Sequence, residues 1–190
     1  MAEIEKDRIF YDESGGGATF SGGEPLSQDR FLRSLLTACA EREIHTAVDT
    51  SGYAPHRVVS EIGPLADLFL FDLKLMDRMA HLRYTGIPNE LILENLEALV
   101  EMGRPIIIRF PLIPGFTDGE RNIRAIGRYA AGLETVQSIA VVPYHKIAAG
   151  KYAALQLRNR MLGTSPPNET QVKEAASLLE SYGLEVTLGG

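Results

Sequence analysis

Cysteine is almost missing from this chain of 190 residues: Cys39 stands alone. No internal disulfide can form, and no cysteine-ligated metal site can be built from these residues by themselves. An excess of positive charge is missing too. The net charge of -6 argues against a nucleic-acid partner, whose electrostatic footprint would be basic. No apolar run reaches the roughly 18 to 20 residues that span a bilayer, and the opening MAEIEKDR is charged rather than signal-like. The expectation is a soluble cytoplasmic protein with no membrane partner. His45, His56 and His81 show neither HxH nor HExxH spacing, which makes a zinc hydrolase a poor fit. Neither a fixed-period repeat nor a low-complexity linker interrupts the chain. What remains is ordinary globular material, 45% hydrophobic and 23% charged. At this length folding buries roughly 70% of the unfolded surface, enough for one self-sufficient core over 1–190.

Short β-branched or aromatic runs alternate with stretches of helical period. Ala18–Pro25 reads as a strand ending in a tight turn. Ser27 is placed to cap a helix whose apolar face is Phe31, Leu32, Leu35, Leu36 and Cys39. Ile44–Gly52 is a second strand and turn, and 55–63 a second helix. Ala66–Lys74 reads as a third strand, apolar enough to be buried on both faces. Leu91, Leu93, Leu96, Leu99 and Val100 mark a helix stopped by Gly103, and Pro105–Gly115 a fourth strand. A helix over 120–131, a strand over 136–145, a helix over 168–182 and a final LEVTLGG strand complete the series. Lys146–Pro167 is loop-rich, with room for a short helix. Such alternation implies βαβ units and a mostly parallel sheet, either a barrel or a segment of one.

In parallel α/β folds the chemistry sits at the carboxyl ends of the strands. Here each apolar strand ends in a polar group: Glu24, then Asp49 with Thr50, Asp72 with Lys74, Arg109, and His145. Period-two alternation aims Asp72 and Lys74 the same way, inward if Leu73 faces the helices. Any one of these residues could be a satisfied ion pair or a cap, but five consecutive strand ends together point to a shared mouth. Gly22 and Gly23 open the backbone before Glu24 and leave its carboxylate free for an ammonium group; a plain turn is the competing reading. Asp49 and Asp72 could bind ribose hydroxyls, share a hard cation with Thr50, or hydrogen-bond loop amides. Lys74 could hold a carboxylate, serve as a Schiff-base amine, or pair with Asp72 or Asp49. Arg109, flanked by apolar residues, needs an acidic partner, and His145 suits a ligand contact or a neutral hydrogen-bonded role equally.

Six stretches carry a resemblance: TFSGGEPL (19–26), VDTSGY (48–53), LFDLKLMD (70–77), HLRYTGIPNELILENL (81–96), IRFPLIPGFTD (108–118) and VVPYHKIAAGKY (141–152). In this order, over essentially the whole chain, they resemble the glycyl-radical-enzyme activating proteins, radical S-adenosylmethionine enzymes of which pyruvate formate-lyase activating enzyme is the type member. The resemblance implies an α/β fold, a partial TIM-like (β/α)6 barrel. It implies that Gly22, Gly23 and Glu24 meet the amino group of S-adenosylmethionine, and that Asp49, Lys74 and His145 meet its other polar parts. Asp49, Thr50 and Asp72 match the surroundings of a monovalent cation, and Arg109 matches the arginine facing the partner's glycyl loop. The implied partners are a glycyl radical enzyme of the pyruvate formate-lyase kind and an electron donor such as flavodoxin.

One departure stands out. Family members carry CxxxCxxC ahead of the GGEP strand, where three thiolates hold a 4Fe-4S cluster. This sequence has no such triplet, and Cys39 follows GGEP rather than preceding it. The resemblance therefore implies a barrel without its first strand and cluster loop. The expectation is a segment of a longer activase. The full protein would form a 5′-deoxyadenosyl radical that takes the α-hydrogen of a glycine, while these residues alone would be catalytically inactive. A binding module without chemistry is the first alternative and a Schiff-base aldolase using Lys74 a second. An uncovered edge at the Ala18–Ser21 strand would favour self-association.

Overall fold

A computed structural model describes residues 1–145 and 163–189. Two helical turns, α1 (Ala2–Glu5) and α2 (Arg8–Ser14), precede β1 (Gly17–Phe20). Then come α3 (Asp29–Ala40), β2 (His45–Thr50), α4 (His56–Ile62), β3 (Leu68–Asp72), α5 (Arg78–Thr85) and α6 (Glu90–Glu101). β4 (Ile106–Leu112), α7 (Glu120–Ala130), β5 (Val136–Pro143), α8 (Glu169–Glu180) and β6 (Val186–Leu188) complete the described elements. The strands form one sheet in sequence order, β1 to β6, every pairing parallel, and β1 and β6 do not pair with each other. The architecture is the expected barrel segment: an α/β fold whose parallel sheet does not close among the described residues.

The two faces of the sheet differ. Val48, Phe69, Phe71, Ile106, Ile108, Phe110, Ile139 and Val141 face the helices and are almost fully buried. Each such side chain contributes roughly 1.5–3 kcal/mol on burial, so this outer layer carries most of the stability. The opposite, concave face bears Leu68, Leu70, Ile107 and Val142, all only half-buried. β3 is therefore not buried on both faces, as its composition suggests; Leu68 and Leu70 line an open trough instead. Ser27 does not cap α3 either. It lies in a short 3-10 turn, Pro25–Gln28, and its hydroxyl donates to the Glu24 carbonyl at 2.7 Å. Along α3, Leu32, Leu36 and Cys39 face the core as expected, but Phe31 is 62% exposed.

On α6 the buried face is Ile92, Asn95, Leu96, Ala98 and Leu99, rotated from the leucine stripe that the sequence suggests, so Leu91 and Leu93 are only half-buried. The first strand stops at Phe20, and residues 21–24 form its loop. Of the stretch Lys146–Pro167, residues 146–162, with the second half of the VVPYHKIAAGKY motif, lie outside the described residues. Residues 163–167 run without helix or strand.

Candidate functional site

Pairing registers decide which side chains meet at the carboxyl ends of the strands. Asp49 stands opposite Leu70, and Asp72 opposite Arg109. All three charged groups lie on the concave face, and Leu73, 1% exposed, points to the helices as the alternation requires. Register neighbours are not the ion-pair partners. Arg109 reaches past Leu70 to Asp49, with Nη1 2.5 Å from Oδ2. The same carboxylate oxygen accepts from Ser21 Oγ at 2.8 Å, which draws in the loop after β1. Arg109 Nε is buried with no hydrogen-bond partner among the described residues, an unusual cost at the mouth of a cleft. Asp72 pairs instead with Lys74, 2.9 Å from its Nζ. That ammonium sits in an ion pair rather than an apolar pocket, the setting an amine nucleophile needs, and this disfavours the aldolase reading.

Glu24 is not the free carboxylate that the glycines before it suggest. Thr50 Oγ1 and the Leu26 amide donate to one oxygen, at 2.6 and 3.2 Å. The Ser51 amide and hydroxyl donate to the other, at 3.0 and 2.5 Å. Gly22 and Gly23 do adopt positive φ, 92° and 64°, and a Cβ at either would meet nothing within 4 Å. The backbone beside Glu24 is open to a ligand.

The structure thus joins the tips of β1, β2 and β4 through Ser21, Glu24, Asp49, Thr50 and Arg109, with Asp72 and Lys74 beside them. Asp49, Thr50 and Asp72 each hold a different partner and do not share one. Thr50 lies on the strand face opposite Asp49 and turns its hydroxyl to Glu24. His145 follows β5 in an exposed position, and no side-chain contact joins it to the other tips among the described residues.

Three asparagines, Asn89 and Asn95 buried and Asn122 half-buried, carry no expectation from the sequence. Asn95 of α6, 0% exposed, donates to the carbonyls of Gly52 and Ala54, both at 2.8 Å, and so holds the loop after β2. Asn89 donates to the carbonyls of Leu75 and Met76. Asn122 of α7 donates to the Lys74 and Thr117 carbonyls and accepts from the Met76 amide. Together Asn89 and Asn122 fix the loop that carries Lys74. The available signal was a polar residue within an apolar helical stripe, as in LENL.

The donor set fits one expected group and not the other. Cys39 is 0% exposed, packed with Ala18 and Ile44, and burial pushes its thiol up from the ordinary value. A single buried thiol cannot hold an iron-sulfur cluster, and these residues do not fit one. The cleft itself alternates acid and base, with open backbone beside the acid, and suits a zwitterionic ligand. A cavity of about 850 Å³ lies elsewhere, between α7 and α8.

Residues 2–125 match the family described as the Radical SAM superfamily. The chain is 39% identical over 193 residues to the trans-4-hydroxy-L-proline dehydratase activating enzyme of Clostridioides difficile. The match covers all of this chain and 64% of that protein, so the chain spans under two thirds of this relative's length. With the pyruvate formate-lyase 1-activating enzyme of Escherichia coli (strain K12) it shares 31% identity, across 98% of this chain and 76% of that one. Among solved structures, a domain of the pyruvate-formate lyase-activating enzyme from Bacteroides vulgatus superposes with a TM-score of 0.77 at 36% identity, covering 92% of this chain and 99% of that one.

Proposed function

The chain belongs to the radical SAM superfamily and, within it, to the activating enzymes of glycyl radical enzymes; from that premise we propose that its strand tips grip the amino-acid end of S-adenosylmethionine. The observation that carries this reading is the order of charge around the mouth: Glu24 on the β1 loop, Asp49 paired to Arg109, and Lys74 beside Asp72. Gly22, Gly23 and Glu24 meet the α-ammonium, the glycines leaving the backbone clear for its approach and Glu24 exchanging one of its present donors for it. Lys74 meets the α-carboxylate, while Asp49 and His145 meet the remaining polar parts. A monovalent cation beside that carboxylate would draw on Asp49, Thr50 and Asp72, and would need Arg109 and Lys74 to release their carboxylates and Thr50 to turn from Glu24.

Bound S-adenosylmethionine supplies, in this superfamily, the carbon radical that removes a hydrogen atom. The residues of this chain orient that ligand and exclude water around it. The whole protein's substrate in this reading is the glycine loop of a pyruvate formate-lyase-like partner, approached by Arg109, and a flavodoxin-like protein is the electron source. Calorimetric titration with S-adenosylmethionine tests the binding step. The unaltered chain should bind, and Glu24→Gln should weaken binding about tenfold or more through loss of a charge-assisted contact. No binding by the unaltered chain, or equal binding by the variant, would overturn the reading.

A further inference from the structure

Pro111 ends the hydrogen-bonded ladder between β3 and β4 just before Lys74. The Leu73 amide donates to the Arg109 carbonyl at 2.9 Å. The next bond of that parallel ladder needs an N–H at residue 111, and proline has none. β3 itself stops at Asp72, so residues 74–76 leave the sheet with their main-chain polar groups still to be satisfied. Among the described residues no main-chain hydrogen bond reaches 74–76.

Two asparagine side chains hold this loop instead. Asn122 of α7 donates to the Lys74 carbonyl and accepts from the Met76 amide, both at 3.0 Å. Asn89, at the start of α6, donates to the Leu75 carbonyl at 3.1 Å and to the Met76 carbonyl at 3.0 Å. Asn122 also donates to the Thr117 carbonyl at 3.0 Å. Thr117 is 3% exposed, and its hydroxyl donates to the Pro111 carbonyl at 2.6 Å. The brace thus ties the Lys74 loop back to β4 at the residue where the ladder fails.

We infer that Asn122 and Asn89 are positioning residues, which set the main chain under Lys74 so that its ammonium meets the α-carboxylate of S-adenosylmethionine. The inference rests on the proposed ligand. Lys74 has a flexible four-carbon stem, so the reach of its head depends on where its Cα stands. Its ammonium has three N–H groups; Asp72 takes one at 2.9 Å, and two remain for a carboxylate. The asparagines act on the main chain, so their effect does not depend on whether Asp72 keeps that contact. A loop fixed beforehand spares the binding step the entropy of ordering it. A ligand without a carboxylate does not use Lys74 and gains nothing from the brace.

The test measures affinities by calorimetry for S-adenosylmethionine and for decarboxylated S-adenosylmethionine, which lacks the α-carboxylate. The variants are Asn122→Ala, Lys74→Met and the two combined. Asn122→Ala should bind S-adenosylmethionine about fivefold or more weakly and leave the decarboxylated ligand almost unchanged. With Lys74→Met already in place, the same change should cost less than about twofold, because residues that act through one contact are not additive. A residue that only stabilises the fold would weaken both ligands alike and add its loss to that of Lys74→Met. Asn89→Ala should show the same ligand selectivity, and it stands in if Asn122→Ala does not fold. Unchanged S-adenosylmethionine affinity in the asparagine variants, equal losses for both ligands, or additive losses in the combined variant would overturn the positioning role. Failure of the unaltered chain to bind S-adenosylmethionine would instead remove the ligand reading, and this inference with it.

Discussion

At Gly52 the backbone has φ of 71°, and a Cβ there would stand 2.1 Å from Phe71 Cζ. Left-handed strain and a clash with a buried aromatic act together, so Gly52→Ala should cost about 3 kcal/mol or more in urea denaturation. A loss below about 1 kcal/mol would mean that the loop can shift away from Phe71. The glycine itself was legible as a turn signal, whereas its close approach to Phe71 was not, because that contact joins the loop after β2 to the next strand across an intervening helix. The same limit applies to the charged groups. Period-two alternation foretold that Asp72 and Lys74 share a face, and they pair at 2.9 Å. Nothing local foretold that Arg109 takes Asp49 rather than its register neighbour Asp72, or that Thr50 turns to Glu24. Reach across a curved sheet decides those partners.

Helix pairs show a second level of control. Tyr129 of α7 donates its hydroxyl to Glu97 of α6 at 3.0 Å. Burial, then the contact with Glu97, holds the phenol well above its ordinary value of 10. The folded state therefore binds this proton more tightly than the unfolded state does. Its contribution is complete below the ordinary tyrosine value and is lost as the pH rises through it towards the raised one. Denaturation midpoints should fall as the pH rises from about 10 to about 11, and Tyr129→Phe should flatten that fall. An identical slope in the variant would remove Tyr129 as the cause. α5, like α1 and α2, is not announced by the sequence pattern. Its only buried residue is His81, so no apolar stripe announces it. Its end signals were nonetheless present: Asp77 accepts from the Ala80 amide at 2.8 Å, and Gly86 closes the helix with φ of 91°. Periodicity reports burial rather than helicity, and a helix lying on the surface leaves little of it.

The open sheet has consequences for the molecule as a whole. Among the described residues β1 pairs only with β2, and Thr19 on it is exposed. An uncovered edge offers backbone donors and acceptors to a second chain, so sedimentation at high concentration should show self-association, reduced by Thr19→Lys. A monodisperse monomer would refute this. With one buried cysteine in 190 residues, anaerobic iron-sulfur reconstitution of these residues should yield no 5′-deoxyadenosine; its formation at rates typical of the family would overturn the expectation. The sequence by itself determined the parallel α/β class, the order of the strands and the charged residue types at the strand ends, because alternation, turn residues and motif order are local properties. Only the tertiary structure decided which of those charges pair, that Glu24 is clasped rather than free, and that buried asparagines pin the loops. Those outcomes depend on distances between segments that the chain brings together only when the sheet curves.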